Sequence, residues 1–72
     1  MIYRLVNFGN GTLNTSVIYC VTNGYTIPTT DPANTDYANF KKQILADKAQ
    51  LQDAEGVIMA DAEAKAYVAT LP

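Results

Sequence analysis

The sequence predicts an α+β fold, in which a small N-terminal antiparallel β-sheet is followed by an amphipathic helix and a short C-terminal helix. A change in composition predicts this fold. Residues 1–30 carry a single charge, Arg4, and are rich in Thr, Asn, Gly, Val, Ile and Tyr, which is typical of strands and turns. All ten alanines lie from Ala33 onward, together with four of the five basic residues. This second half therefore has the composition of helices.

A chain of 72 residues has room for one small domain. We divide that domain into a β segment over residues 1–27, a proline-containing linker over 28–35 and a helical segment over 36–72. Such a short chain buries only about 60% of the surface that it exposes when unfolded, so its stability is marginal.

Two runs of branched and aromatic residues, Ile2–Val6 and Val17–Val21, predict strands. The connection between them contains the turn sequence Gly-Asn-Gly at 9–11. It is too long for a two-residue turn, so the sequence leaves open whether the two strands are direct neighbours. Asn23-Gly24 marks a second turn, and Tyr25–Ile27 predicts a short third strand.

The helical segment predicts a first helix from about Asn34 to Ala54. Asn34 or Thr35 can cap its first turn, and Asp36 lies where a carboxylate interacts favourably with the helix dipole. Apolar positions then recur at helical spacing. They are Tyr37, Phe40, Ile44, the stem of Lys48, and Leu51.

Gly56 interrupts the helical pattern, and a second helix is expected from Asp61 to about Thr70. Asp61 is the expected N-cap and stands four residues before Lys65, in the favourable order for an ion pair. The expected apolar face consists of Ala64, Tyr67, Val68 and Leu71. The sequence ends with Pro72, which cannot continue a helix.

Charge and residue usage exclude several classes of function. The net charge of −2 gives no basic patch for nucleic acid. The chain has no histidine, and its single cysteine, Cys20, lies within an apolar run and is expected to pack as a small apolar side chain. No apolar run approaches the ~20 residues that span a bilayer. We therefore expect neither a nucleic-acid nor a membrane partner.

The residues also lack a catalytic or metal-binding pattern. Asp53, Glu55 and Gly56 are similar to the middle of a calcium loop, but Leu51 and Ala62 would then occupy the first and last ligand positions. The Gly-Asn-Gly turn at 9–11 precedes a strand rather than the helix that a phosphate loop needs. We therefore expect no enzyme activity, no cofactor and no metal.

The segment IPTTDPANTDYANF, residues 27–40, resembles a segment of small tailed-phage proteins encoded beside tail-fibre or baseplate genes, including the XkdW-like proteins of prophages. The resemblance implies a β segment, a proline-containing linker and a helix that opens at the Asp-Tyr pair. The matching positions are Ile27, Pro28, Asp31, Pro32, Ala33, Asn34, Asp36, Tyr37 and Phe40.

This resemblance implies a structural or accessory protein of the phage virion, associated with the tail fibre or baseplate and docked on a larger tail protein. Two alternatives remain open on the residues, a capsid decoration protein and a small cytoplasmic regulator that binds another protein. The neighbouring genes would distinguish the three: tail-fibre genes would support the tail protein, a major capsid gene the decoration protein, and early-expressed genes the regulator.

The low charge of the β segment predicts where such a partner binds. A sheet of this size has one face that short helices cannot cover, and exposed strands are normally protected from aggregation by charged residues, which this segment lacks apart from Arg4. Tyrosine is enriched at protein interfaces. We therefore expect Tyr3, Tyr19 or Tyr25 to contact a larger tail or capsid protein, or a second copy of the chain.

Overall fold

A computed structural model describes residues 1–71 as a four-stranded sheet with two helices, which confirms the predicted α+β fold. The four strands are β1 (Ile2–Asn7), β2 (Leu13–Cys20), β3 (Tyr25–Pro28) and β4 (Gln50–Gln52). The two helices are α1 (Thr35–Leu45) and α2 (Asp61–Ala69). Pro72, which we expected to stop the second helix, lies outside the described residues.

The strands are ordered β3-β2-β1-β4 across the sheet. The β1–β2 and β2–β3 pairs are antiparallel, so the two long predicted strands are direct neighbours despite their long connection. β4 pairs with β1 in the parallel direction, through Ile2↔Gln50, Tyr3↔Leu51 and Arg4↔Gln52. The first strand of the chain therefore lies inside the sheet, between two partners.

A bulge in β2 shifts its register against β1, so that Leu5 pairs with Ile18 but Val6 pairs with Asn14. The residue that follows β3, Thr29, occupies the bulge. Its N–H donates to the Ser16 carbonyl at 2.9 Å and its hydroxyl donates to the Thr15 carbonyl at 2.6 Å. Thr29 is fully buried, and these two bonds satisfy its polar atoms.

Both helices pack on the same face of the sheet. Alternate residues of the strands point into the layer between sheet and helices, as the period of two requires. The Tyr3 ring meets the Phe40 ring of α1 edge to face, with the ring centroids 4.8 Å apart. The buried core consists of Tyr3, Leu5, Ile18, Cys20, Ile27, Tyr37, Phe40, Ile44, Leu51, Ala64 and Val68.

The first helix ends nine residues earlier than the sequence predicted, at Leu45. Asp47 has a φ of +58°, in the left-handed region, and closes the helix. The Lys48 N–H donates to the Gln43 carbonyl at 2.9 Å, and the Asp47 N–H donates to the Ile44 carbonyl at 3.2 Å. These bonds form a Schellman motif, with aspartate at the position that glycine most often occupies.

The remainder of the predicted helix is strand and turn. Leu51 is buried as expected, but in β4, where it pairs with Tyr3. Lys48 lies outside the helix and is exposed, so the expected contact of its stem with the core was wrong. Pairing with β1 replaces the helical hydrogen bonds that these residues would otherwise have made.

The second helix was predicted in the right place, but its cap was wrong. Ala60 is the N-cap and makes no side-chain capping bond, whereas Asp61 is the first helical residue. Lys65 forms its ion pair with Asp47 at 3.0 Å rather than with Asp61, and thereby ties α2 to the end of α1. Neither helix within residues 1–71 has the length and hydropathy to cross a bilayer.

Candidate interaction surface

The face of the sheet opposite the helices, here called the open face, is covered by no other element of residues 1–71. Because side chains alternate along a strand, the residues between the buried ones point to this side. They are Ile2, Arg4, Val6, Val17, Tyr19, Thr26, Pro28, Gln50 and Gln52. Most of those on β1 and β2 are half-buried by their neighbours, so they form a continuous and mainly apolar surface.

The three tyrosines that we expected at an interface lie in three different places. Tyr19 is on the open face, half-buried, with its hydroxyl over Gly24. Tyr25 is 38% exposed and begins β3, on the side of the sheet that carries the helices, because it pairs with buried Cys20. Tyr3 is only 2% exposed and belongs to the core, so it is not available to a partner.

The hydroxyl of Tyr3 has a partner within the chain. It donates to the Gln43 Oε1 at 2.8 Å. Burial, followed by the neighbouring Cys20 thiol, raises the pKa of Tyr3 to about 12. Burial also raises the pKa of Tyr37 and of Tyr67. These three phenols are packing groups that stay neutral at physiological pH.

The linker between the sheet and α1 is a series of local caps. The Asp31 side chain accepts from the Ala33 N–H at 3.0 Å, and the Asn34 side chain accepts from the Tyr37 N–H at 3.0 Å. Asn34 rather than Thr35 is therefore the N-cap.

The remaining residues of the segment 27–40 divide between core and solvent. Ile27, Tyr37 and Phe40 are buried, whereas Pro28, Asp31, Pro32 and Asp36 are exposed, with Asp36 in the first turn of α1. The segment therefore fixes how α1 leaves β3 and packs on the sheet. It presents no constellation of reactive side chains.

The two edges of the sheet differ in their protection. On the β3 edge, the Thr29 N–H bonds inward to Ser16, so the preceding residue, Pro28, faces outward, where it has no N–H to offer a partner strand. On the other edge, residues 57–59 return along β4 through the bonds Asp53 N–H to Val57 carbonyl and Met59 N–H to Leu51 carbonyl, both 2.8 Å. Each edge is thus blunted, which makes the open face the better docking surface.

Arg4, which the sequence marked as the lone charge of the first thirty residues, lies near the middle of the open face. Its strand neighbours are Tyr19 on β2 and Gln52 on β4. The Arg4 Nε–H donates to the Gln52 Oε1 at 2.9 Å. We assigned it no role from the sequence, although a lone charge in an apolar strand identifies the face that points away from the core.

The described residues hold no other constellation of functional groups. Within residues 1–71, no group of three or more Cys, Asp or Glu side chains is placed to hold a metal ion. A shallow depression of about 500 Å³ lies between the starts of β1, β4 and α2. Its lining mixes the carboxylates of Asp47 and Asp61 with Lys48 and apolar groups, which is not an arrangement that selects one kind of ligand.

Comparisons with family models, with curated proteins and with solved structures give no match for this chain.

Proposed function

We propose that this chain is a structural accessory subunit of a tailed-phage virion, associated with the tail fibre or baseplate, which docks on a larger tail protein through the open face. The observation that carries the proposal is the asymmetry of the sheet. One face packs against two helices, and the other presents apolar side chains and one tyrosine, Tyr19, with a single charge. A patch of that kind on a small domain favours binding to another protein.

The resemblance of residues 27–40 to a tailed-phage segment supports the same proposal. In this chain the segment anchors α1 to the helix-bearing side through buried Tyr37 and Phe40. That arrangement keeps α1 off the open face and leaves the open face accessible. The role is structural and needs no catalytic residue or cofactor.

A mass-spectrometric inventory of purified virions tests the proposal. The phage that encodes the chain is grown and purified, and the chain is quantified against the major capsid protein. Dozens of copies or fewer per particle, together with tail proteins, are the expected result. Hundreds of copies would indicate a capsid decoration protein instead, and absence from particles of a chain abundant in infected cells would indicate a cytoplasmic regulator.

A matched pair of substitutions tests whether the open face is the docking surface. Tyr19→Arg places a bulky charge on that face, whereas Asn39→Arg places the same group on the exposed side of α1. We expect Tyr19→Arg to reduce incorporation into virions strongly and Asn39→Arg to leave it unchanged. Thermal unfolding of both purified variants separates a docking defect from a folding defect, and equal incorporation of the two would contradict the proposed surface.

A further inference from the structure

Arg4 is the only charged residue in the four strands of the sheet. It lies on β1, an inner strand, so uncharged side chains surround it on the open face. Its side chain is half-buried and lies against the turn at Gly56, while no helix or strand covers that face. When a partner excludes water from this face, the guanidinium loses its hydration, which costs free energy unless the partner supplies a counter-charge.

The guanidinium is only partly satisfied by the chain itself. A guanidinium has five N–H donors in a planar fork, and the Arg4 Nε–H is used by the Gln52 Oε1. Within residues 1–71, the four donors on the two terminal nitrogens make no hydrogen bond, and no carboxylate lies within 4 Å of them; the ion pair of the described chain, Lys65–Asp47, lies elsewhere.

The position of the guanidinium is nevertheless fixed. The bond to Gln52 holds one side of the group, and Gly56 lies beside the other, where a Cβ would come 3.8 Å from the Arg4 Nη2. An oriented fork with unused donors matches the two oxygens of a carboxylate, which it can bind through two parallel hydrogen bonds.

The same geometry disfavours a second copy as the occupant of the open face. In a symmetric dimer formed face to face, two Arg4 groups near the centre would approach each other, and the strands that form the open face carry no acidic residue to separate them. Like charges placed together in an interface that excludes water are strongly unfavourable. Charge complementarity therefore favours a different protein.

We propose that the partner of the open face is a different protein, whose docking surface is apolar and carries one Asp or Glu carboxylate that pairs with Arg4 in a bidentate geometry. This inference rests on the proposed function and gives its partner a chemical description. The pair would lie inside the interface, surrounded by Ile2, Val17 and Tyr19. It would therefore contribute to affinity and fix the orientation in which the two proteins dock.

Binding of the purified chain to purified virions assembled without it tests this inference. The variants are Arg4→Gln, Arg4→Lys and Arg4→Glu, and the control is Lys42→Glu, which makes the same charge reversal on the exposed surface of α1. We expect Arg4→Gln to weaken binding at least about 30-fold, as for other buried charge pairs that lose one partner. Arg4→Lys should weaken it about tenfold because the planar fork is lost, and Lys42→Glu should bind like the native chain.

Further outcomes separate this inference from the function on which it rests. Growth of phage that carry Arg4→Glu should select suppressors that change one acidic residue of a single virion protein to a basic or neutral one. If the native chain binds and all three Arg4 variants bind equally well, the carboxylate partner is refuted while the virion role stands. If the native chain neither binds nor occurs in virions, the proposed function itself fails.

Sedimentation of an equimolar mixture of the native chain and Arg4→Glu tests the second-copy alternative directly. We expect both chains to sediment as monomers, alone and together. A dimer that forms in the mixture more readily than in either pure sample would identify Arg4 as a self-association contact and would overturn the inference.

Discussion

Replacement of Tyr3 by phenylalanine removes one hydroxyl from the core and keeps the ring that contacts Phe40. The lost interaction is the 2.8 Å hydrogen bond from the Tyr3 hydroxyl to the Gln43 Oε1. Because Gln43 is half-buried and can turn towards water, we expect the free energy of unfolding to fall by about 1 kcal/mol at neutral pH. For a domain of this size the midpoint of thermal unfolding should fall by about 4–8 °C.

The effect of this substitution should reverse at alkaline pH. The pKa of Tyr3 is raised to about 12 in the folded chain and is about 10 when unfolded, so its contribution to stability is complete below pH 10 and is lost as pH rises through 12. Between pH 10 and pH 12 the ionisation of Tyr3 lowers the free energy of unfolding of the native chain by up to about 1.4 kcal/mol per pH unit. The Tyr3→Phe chain has no such loss. Tyr37 and Tyr67 titrate in both proteins, so their contributions cancel.

Urea unfolding followed by circular dichroism at pH 7 to 12 measures both effects. We expect the native chain to be more stable at pH 7 and the Tyr3→Phe chain to overtake it near pH 11. Gln43→Ala, alone and combined with Tyr3→Phe, completes a double-mutant cycle that isolates the hydrogen bond. A constant stability difference across the whole pH range would refute the buried, hydrogen-bonded phenol.

Three further predictions concern the helix ends and the thiol. Asn34→Ala should lower the free energy of unfolding by about 1 kcal/mol because it removes the N-cap of α1. Asn34→Asp should retain most of the stabilisation by the cap, and chemical denaturation measures both variants. Asp47→Ala should destabilise the chain by about 1 kcal/mol more than Lys65→Ala, because both break the exposed ion pair but only the first removes the polar side chain with which aspartate tolerates the left-handed conformation. Asp47→Gly should show no such excess, and an excess equal to that of alanine would contradict the Schellman motif. Cys20 is fully buried, so its labelling by a thiol reagent should follow global unfolding, and rapid labelling under native conditions would contradict its packing.

The first helix shows how far local sequence patterns extend. Lys48 and Leu51 continue the helical spacing from Ile44, and no glycine or proline interrupts residues 45–52. Local periodicity therefore favours helix through β4. The strand conformation of residues 50–52 is instead set by pairing with β1, whose residues lie 48 positions away in the chain, as between Arg4 and Gln52. A contact at that distance leaves no local signal, and Asp47 is only a weak indication of a left-handed residue.

The open face could have been recognised more fully from the sequence than it was. Ile2 and Val6 on one side of β1 are as apolar as Tyr3 and Leu5 on the other, so hydrophobic alternation alone does not say which side is buried. The charge of Arg4 breaks this symmetry and identifies its own side as the outer one. Tyr3 must then point inward. The enrichment of tyrosine in the segment does not by itself separate this buried tyrosine from one that is available to a partner.

The parallel pairing of β1 with β4 also has a consequence for the order of events as the protein is made. β1 leaves the ribosome before β4 and gains its second neighbour only when residues 50–52 have followed, and closing a loop of that length is slow compared with forming the hairpins of β1, β2 and β3. During this interval α1 has already been made and can cover one face of the β1–β3 meander, but the margin of β1 that will pair with β4 stays without a partner. An unpaired strand edge is a template for pairing with another chain, so docking of β4 completes the protection of the sheet against self-association.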